Sequence, residues 1–503
     1  ASARQREIAV RLSIGASRAR LIRQLLTESS LLVGLAAVAG LALAPAASQL
    51  LVRSALGVAQ GPAPISTGID PRVLAFTTAV SLLTVLLFGL APAFRATRVE
   101  LETALRATAR GVYGGARINA QKLLVAAQIT LTFVLVTGAG WFSSSLRYLA
   151  HLNLGYDQEH VVTVWINPQA AGYPEKQLAA LDRRLVENVE AVAGVQSAAV
   201  AQCGLASGCQ WNSGVTIEGY QPAPGEQVSF QQNVVGLNYF ATVGMRLVAG
   251  RDFTAHDIRE SGQVAIINQA AARRYFPNGR ALGRRIGWEK PGVEIVGIVA
   301  DARVNSARES APPMAYYPLA QFTTYGGSIE VRVTSDPAAR IRDIRQAVLK
   351  SDPDLPIERI TTLRDQVNGN LRQDRLITWL AAVFGALAMA LACFGIYGAM
   401  SYAVTRRTGE IGIRMALGAP QGRVFWMILG ESLILLAIGL VVGAPLLLAA
   451  ARPVSGIVLG VDLYDARIWA ASAIAVSAAT ALAAFLPARR ASHCDPVAAL
   501  RNE

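Results

Sequence analysis

The sequence predicts an α-helical membrane protein with six spanning helices and one extracytoplasmic domain of mixed α/β fold. Three observations carry this prediction. The 503 residues are 52% hydrophobic and 16% charged, whereas a soluble globular chain carries about 25% charged residues. Six windows reach the roughly 20 apolar residues that a bilayer demands. The basic surplus, 47 Lys and Arg against 34 Asp and Glu, gathers in short segments between those windows.

In chain order, residues 1–110 hold a short amphipathic helix over 4–20 and spans over 24–52 and 73–94. Residues 111–146 are a linker and a span over 123–146. Residues 147–375 form the extracytoplasmic domain. Residues 376–503 hold a span over 376–403, a second amphipathic helix over 404–420, spans over 424–451 and 468–488, and a tail. Leu, Val, Ala, Ile and Phe dominate the windows, with the Gly common in membrane helices.

The flanks set the orientation. Arg4, Arg6, Arg11, Arg18, Arg20 and Arg23 precede the first span, and Arg95, Arg98, Arg106, Arg110, Arg117 and Lys122 follow the second. Arg406, Arg407, Arg414, Arg423, Arg489, Arg490 and Arg501 lie on the same side. The opposite short loops hold Arg53, Arg72, Arg452 and Arg467. The positive-inside rule then puts both termini in the cytoplasm and residues 147–375 outside. That outer segment carries 24 basic and 23 acidic residues. Nearly all of the net charge of +13 therefore belongs to the membrane part, and nucleic-acid binding loses its main support. Arginines at a bilayer also attract anionic head groups, but topology accounts for them without a ligand.

The chain repeats itself. At a constant offset of 403, Glu7, Ile8, Arg11, Gly15, Arg20, Glu28 and Ser29 match Glu410, Ile411, Arg414, Gly418, Arg423, Glu431 and Ser432. At an offset of 395, Asp70, Arg72, Pro92, Arg95 and Ala96 match Asp465, Arg467, Pro487, Arg490 and Ala491. Such duplication is common in transporters. A span, the outer domain and another span precede the second copy's amphipathic segment; none of these precedes the first copy's. With Ala1 at the start, the simplest expectation is an N-terminal truncation. A shortened protein is the alternative.

Within the second amphipathic segment, Glu410 and Arg414 stand at i, i+4, where they can pair. Ile411, Met415 and, one residue off-register, Leu417 give an apolar stripe, and Gly418-Ala419-Pro420 is a stop. Such a helix can lie on lipid. Its recurrence favours docking to a protein.

In the outer segment, Val161 to Ile166 alternates as a strand does. Residues 173–192 read as a helix behind Pro174. Strand-length runs occupy 264–267, 294–299 and 329–333, with helices over 269–275 and 338–349. Asp352 to Pro356 breaks the last helix before a further strand. Ala191 to Ile217 lacks charge, but its Gln, Asn, Ser and Gly mark it as soluble. About 230 residues can bury a core, arranged as two α/β lobes.

No catalytic or metal-binding pattern emerges. No phosphate loop is present; Gly279 to Arg285 lacks the Lys-Ser/Thr that one requires. His151 and His160 fall short of a four-ligand zinc site, and Asp352-Pro353-Asp354 reads as a solvated turn. Cys203 and Cys209 lie in an oxidising compartment, so a loop disulfide is one reading and two free buried thiols the other.

The motifs then become specific. "EIGIRMALGA" at 410–419 and "PARRASHCDPVAALR" at 487–501 resemble the signatures of FtsX-like and MacB-like permeases, the type VII ABC transporter permeases. "LNYFATVGMRLVAGRDFTAHD" at 237–257, "VAIINQAAARRYFPNGRALGRRI" at 264–286 and "VEIVGIVADAR" at 293–303 resemble the periplasmic core domain of MacB. The duplicated layout is most similar to the acidobacterial duplicated orphan permeases. The resemblance implies a bacterial inner-membrane subunit, not itself an enzyme, with a MacB-like periplasmic domain split around an inserted lobe. It implies no cofactor on this chain, because ATP is bound by a separate ABC ATPase. The two amphipathic segments become coupling helices that dock the ATPase. The carry-over falls on Glu410, Ile411, Arg414 and Gly418, and more weakly on Glu7, Ile8, Arg11 and Gly15. A periplasmic adaptor or outer-membrane channel is a further implied partner. The implied activity is mechanotransmission to the outer domain, of export or efflux type. Control of cell-envelope enzymes, as in some FtsX-like relatives, or an orphan scaffold role, is the alternative.

Overall fold

The computed structural model describes residues 17–56, 70–86, 120–277 and 279–493. It divides into two compact units. One comprises residues 1–142, 375–452 and 464–503; the other comprises residues 143–374 and 453–463.

The first unit is helical. Helix α1 (Arg18–Leu56) starts behind Ser17, whose hydroxyl oxygen accepts the Arg20 amide at 3.4 Å. Helix α2 (Pro71–Val85) has Pro at its first position and Asp70 as its N-cap, accepting the Arg72 amide at 2.8 Å. Both devices satisfy amides that a helix start leaves unpaired. Helix α3 (Ala120–Ala150) follows. Helices α9 (Arg372–Arg406), α10 (Thr408–Ala416), α11 (Gln421–Val454) and α12 (Ala466–Ser492) belong to the second repeat. Asp465 caps α12 by accepting the Arg467 amide at 2.8 Å, as Asp70 caps α2.

Five described helices are long and apolar enough to span a bilayer: α1, α3, α9, α11 and α12. The sixth expected span, over 73–94, is described only in part. Helix α2 is described over 15 residues only, and the rest of the 73–94 window lies outside the described residues. The second amphipathic segment is shorter than read, and residues 4–16 of the first lie outside the described residues. Residues 18–20 already belong to α1, and residues 404–406 to α9.

Among helices in lipid, close packing replaces the hydrophobic drive, so small residues set the contacts. A Cβ at Gly439 of α11 would lie 2.6 Å from Ile129 of α3, and one at Gly443 would lie 2.7 Å from Phe133. Glycine lets the two helices approach this closely. Thr130 Oγ1 donates to the Gly439 carbonyl at 3.1 Å, and Thr132 Oγ1 to Ala388 of α9 at 3.2 Å.

The second unit is built on a twelve-stranded sheet. Strands β1 (Val161–Ile166), β2 (Val195–Ala201), β11 (Ser328–Val333) and β12 (Ile357–Thr362) form one end, in the order β12-β1-β11-β2. Helices α4 (Glu175–Glu190) and α7 (Pro337–Ser351) belong to this end. Leu178, Leu181, Leu185 and Val189 of α4 recur at helical spacing. The last three join Ile344 and Val348 of α7 in one buried cluster with Val162, Val164 and Val331.

The middle of the segment supplies the other end. There β5 (Ser229–Val235), β10 (Met314–Pro318), β7 (Val264–Asn268), β9 (Val293–Val299), β8 (Arg285–Gly287) and β4 (Thr216–Ile217) follow in order. Strands β3 (Trp211–Gly214) and β6 (Leu247–Gly250) pair with β5 and β9. Two short helices, α5 (Tyr239–Val243) and α6 (Gln269–Tyr275), lie between strands. The expected two lobes thus share one sheet. The step between them is thin: β2 meets β5 only at Ala201 and Val235.

Several strands escaped sequence reading. β2 to β4 sit inside the 191–217 run, where small and polar residues hid the pattern. β5 buries Gln232 and Asn233, which obscure its alternation. Asn233 is satisfied by the backbone of Cys203, accepting its amide at 3.0 Å and donating to its carbonyl at 2.8 Å.

Candidate functional site

The candidate site is the segment joining α9 to α11. Arg407 interrupts the helix at φ −106°, ψ 13°, so α10 turns away from α9. Thr408 Oγ1 donates back to the Val404 carbonyl at 3.0 Å. Ile411 faces inward with 2% exposure, while Ile413 and Leu417 are exposed at 49% and 82%. Glu410 and Arg414 are exposed too. No ion pair joins those two among the described residues. Instead, the Arg414 guanidinium faces the Met427 sulfur at 3.1 Å.

Gly418 ends the segment at φ +88°, a left-handed conformation that favours glycine. Its amide donates to Met415 at 3.0 Å, and the Ala419 amide donates to Arg414 at 3.0 Å. This is the crossed pair of a glycine-closed helix end. The sequence marked Gly418 as a stop, and the backbone gives the reason.

Glu431 of α11 anchors the segment. It accepts from Lys122 Nζ at 3.2 Å and from Arg407 Nη1 at 2.5 Å. One carboxylate thus ties the start of α3, the break before α10, and α11. The sequence placed Glu431 at a span entrance and in register with Glu28. It gave no signal that Lys122 and Arg407 would meet there, because Lys122 is more than 300 positions away. The two repeated blocks also meet at this place: Ile411 and Thr408 line a cleft of about 170 Å³ together with Pro487, Arg490 and Ala491. Arg490 donates to the Tyr397 hydroxyl at 3.0 Å. Glu7, Ile8, Arg11 and Gly15 lie outside the described residues.

In the outer unit, Cys203 and Cys209 are joined, with Cα atoms 5.5 Å apart. Their loop is held by Gln366, which donates to the Leu205 carbonyl at 2.7 Å, and by the Val304 carbonyl, which accepts from Ala206 at 2.7 Å. Two buried carboxyls of this unit are pushed furthest up. Burial raises Glu330 to about 7, although Thr163 donates to it at 2.6 Å. Burial likewise raises Asp182 to about 7, and its Oδ1 has no partner. Both sit among strand and helix core residues, away from the clefts described, and read as structural.

Two family models together match most of this chain. The model of the FtsX-like permease C-terminal matches residues 1–101 and 382–496, and that of the MacB-like periplasmic core domain matches residues 124–350. Among curated proteins, a macrolide export ATP-binding/permease protein MacB from Mannheimia succiniciproducens is 26% identical over 283 residues. Those residues make up 54% of this chain and 43% of that protein. An uncharacterized ABC transporter permease, YknZ, from Bacillus subtilis is 24% identical over 285 residues, 55% of this chain and 71% of that protein. The chain thus spans under half the length of the MacB relatives it matches. Among solved structures, the periplasmic region of MacB from Actinobacillus actinomycetemcomitans aligns at 16% identity and a TM-score of 0.31. The alignment covers 44% of this chain and 95% of that one.

Proposed function

We propose that this chain, which belongs to the FtsX-like and MacB-like ABC transporter permeases, couples ATP hydrolysis by a separate ABC ATPase to movement of its periplasmic domain. The observation that carries the reading is α10. It is a short helix between two spanning helices, closed by Gly418 and anchored through Glu431, and it presents Glu410, Arg414 and Leu417 outward. An exposed apolar residue flanked by both charges suits a protein groove, where the apolar centre gives affinity and the charges give register.

In this reading ATP is bound by the partner, and this subunit does no chemistry of its own. Nucleotide-driven closure of the ATPases displaces α10. Helix α9 runs unbroken from Arg406 back to Arg372, so it passes that displacement outward as a rod. The cytoplasmic placement of both termini and the efflux-type role belong to the same proposal. So do a periplasmic adaptor or outer-membrane channel as further partner, Cys203–Cys209 as a disulfide in the cell, and the acidobacterial duplicated group.

The test is co-purification of the full chain with the host's ABC ATPases, followed by an ATPase assay of the complex. Glu410→Lys together with Arg414→Glu is expected to cut binding and stimulated hydrolysis by about tenfold or more. Unchanged binding and stimulation would remove the docking role from α10. A complex that hydrolyses ATP without moving the outer unit would favour a regulator of envelope enzymes.

A further inference from the structure

We infer that Arg308 is the positioning residue that makes the membrane-proximal segments move as one body with the outer domain. The inference rests on the mechanical reading above and gives it a place of action. Arg308 lies on a loop of the outer unit. Its Nε donates to Asp374 Oδ2 at 3.2 Å, its Nη2 donates to Asp374 Oδ1, and its Nη1 donates to the Ile457 carbonyl at 3.0 Å. Asp374 stands in the first turn of α9, and its side chain is 9% exposed. Ile457 lies on the short connection between α11 and α12. A single guanidinium thus holds the start of one spanning helix and the link between two others.

Both sides of this contact are rigid. The 303–309 loop is braced by Arg303, whose Nη1 donates to the Ala307 and Glu309 carbonyls at 2.8 and 2.9 Å. Val304 and Ala307 are buried in the outer core, with Leu371 just ahead of α9. Across from it, the connection is fastened to the end of α3. Ser145 Oγ donates to the Leu459 carbonyl at 3.0 Å and accepts its amide at 2.9 Å. At Gly460, φ +68°, a Cβ would lie 2.0 Å from the Tyr148 ring, so only glycine fits. The Pro453–Leu463 connection is therefore built into the outer unit.

The choice of arginine follows from the work. A planar fork can bind a carboxylate with two donors and still offer a third to a carbonyl. Lysine keeps the charge and loses that geometry. The proposal therefore separates charge from shape: Arg308→Lys should still neutralise Asp374 but release Ile457, whereas Asp374→Asn should weaken the grip on α9 and spare Ile457.

The experiment uses the full chain in nanodiscs, with Cys393→Ala and Cys494→Ser as background. Spin labels go at Gly262→Cys and Gly456→Cys, two exposed positions with open space around them. Pulsed-EPR distance distributions are recorded. The parent should give one narrow distribution. Arg308→Lys should broaden it about twofold, while the melting temperature of the chain moves by less than about 2 °C. A distribution as narrow as the parent's in Arg308→Lys overturns the inference. So does equal broadening in Asp374→Asn, because the carbonyl contact would then be idle. A second arm adds the co-purified ATPase trapped with ADP and vanadate. There Arg308→Lys should keep hydrolysis and lose the shift of the outer unit. If no ATPase binds, the first arm still decides the role of Arg308 and only the ABC reading fails. If the ATPase couples normally to the Lys variant, the reading stands and Arg308 does not.

Discussion

In the second copy of the repeat, Glu431 sits between Lys122 and Arg407, and Gly439 and Gly443 receive Ile129 and Phe133 of α3. In the first copy, the matching Glu28 accepts from Gln24 at 3.3 Å. The positions matching the two glycines are Ala36 and Gly40. Both are exposed, and nothing lies within 4 Å of a Cβ built at Gly40. The positions recur in register, yet among the described residues only the glycines of the second copy meet a large side chain from another helix. The difference is helix α3. A glycine becomes a packing site only where a large side chain is aimed at it. The N-caps behave otherwise. Asp70 and Asp465 make the same bond at the same 2.8 Å, because a cap needs nothing beyond its own turn.

The largest expected effect breaks the packing difference. Gly439→Leu or Gly443→Leu should cost about 3 kcal/mol or more, since the new side chain must displace Ile129 or Phe133. Gly40→Leu should stay within roughly 0.5 kcal/mol. Thermal unfolding of the purified chain in detergent reads both. An equal loss at Gly40 would mean that this face is covered by another surface.

A middle effect tests the anchor. Glu431→Gln removes the carboxylate shared by Lys122 and Arg407 and should cost about 1 kcal/mol, because the cations are half-exposed. If ATPase stimulation falls with Glu431→Gln while the melting temperature moves by only about 2 °C, the anchor serves coupling more than stability.

The smallest effect concerns the point on which the copies agree. Asp70→Ala and Asp465→Ala should each cost about 1 kcal/mol and match within a few tenths. Hydrogen exchange at Arg72 and Arg467 would check this amide by amide. A clear excess at Asp465 would show that its cap also carries tertiary load.

The sequence made much of this legible, for a local reason. Apolar windows, flanking arginines, the repeat register and the Gly418 stop depend on residues within a few turns of one another. The helix over 269–275 matched to the residue because Asn268 caps it locally, accepting the Ala271 amide at 3.0 Å. β5 was missed because Gln232 and Asn233 look like surface residues until Asn233 meets the Cys203 backbone. The i, i+4 pair of Glu410 and Arg414 was sound as local geometry, but Met427, from the next helix, drew the guanidinium away.

By itself, then, the sequence determined that this chain carries membrane-length apolar helices, a repeated block and one large domain between them, because hydropathy, charge bias and helix stops are written in neighbouring residues. Tertiary structure alone decided that Glu431 ties Lys122 to Arg407, which glycines are sockets, and that Pro453–Leu463 belongs to the outer unit through Arg308 and Ser145. Each of those depends on partners many positions apart, whose meeting is set by how helices and sheet pack rather than by any pattern along the chain.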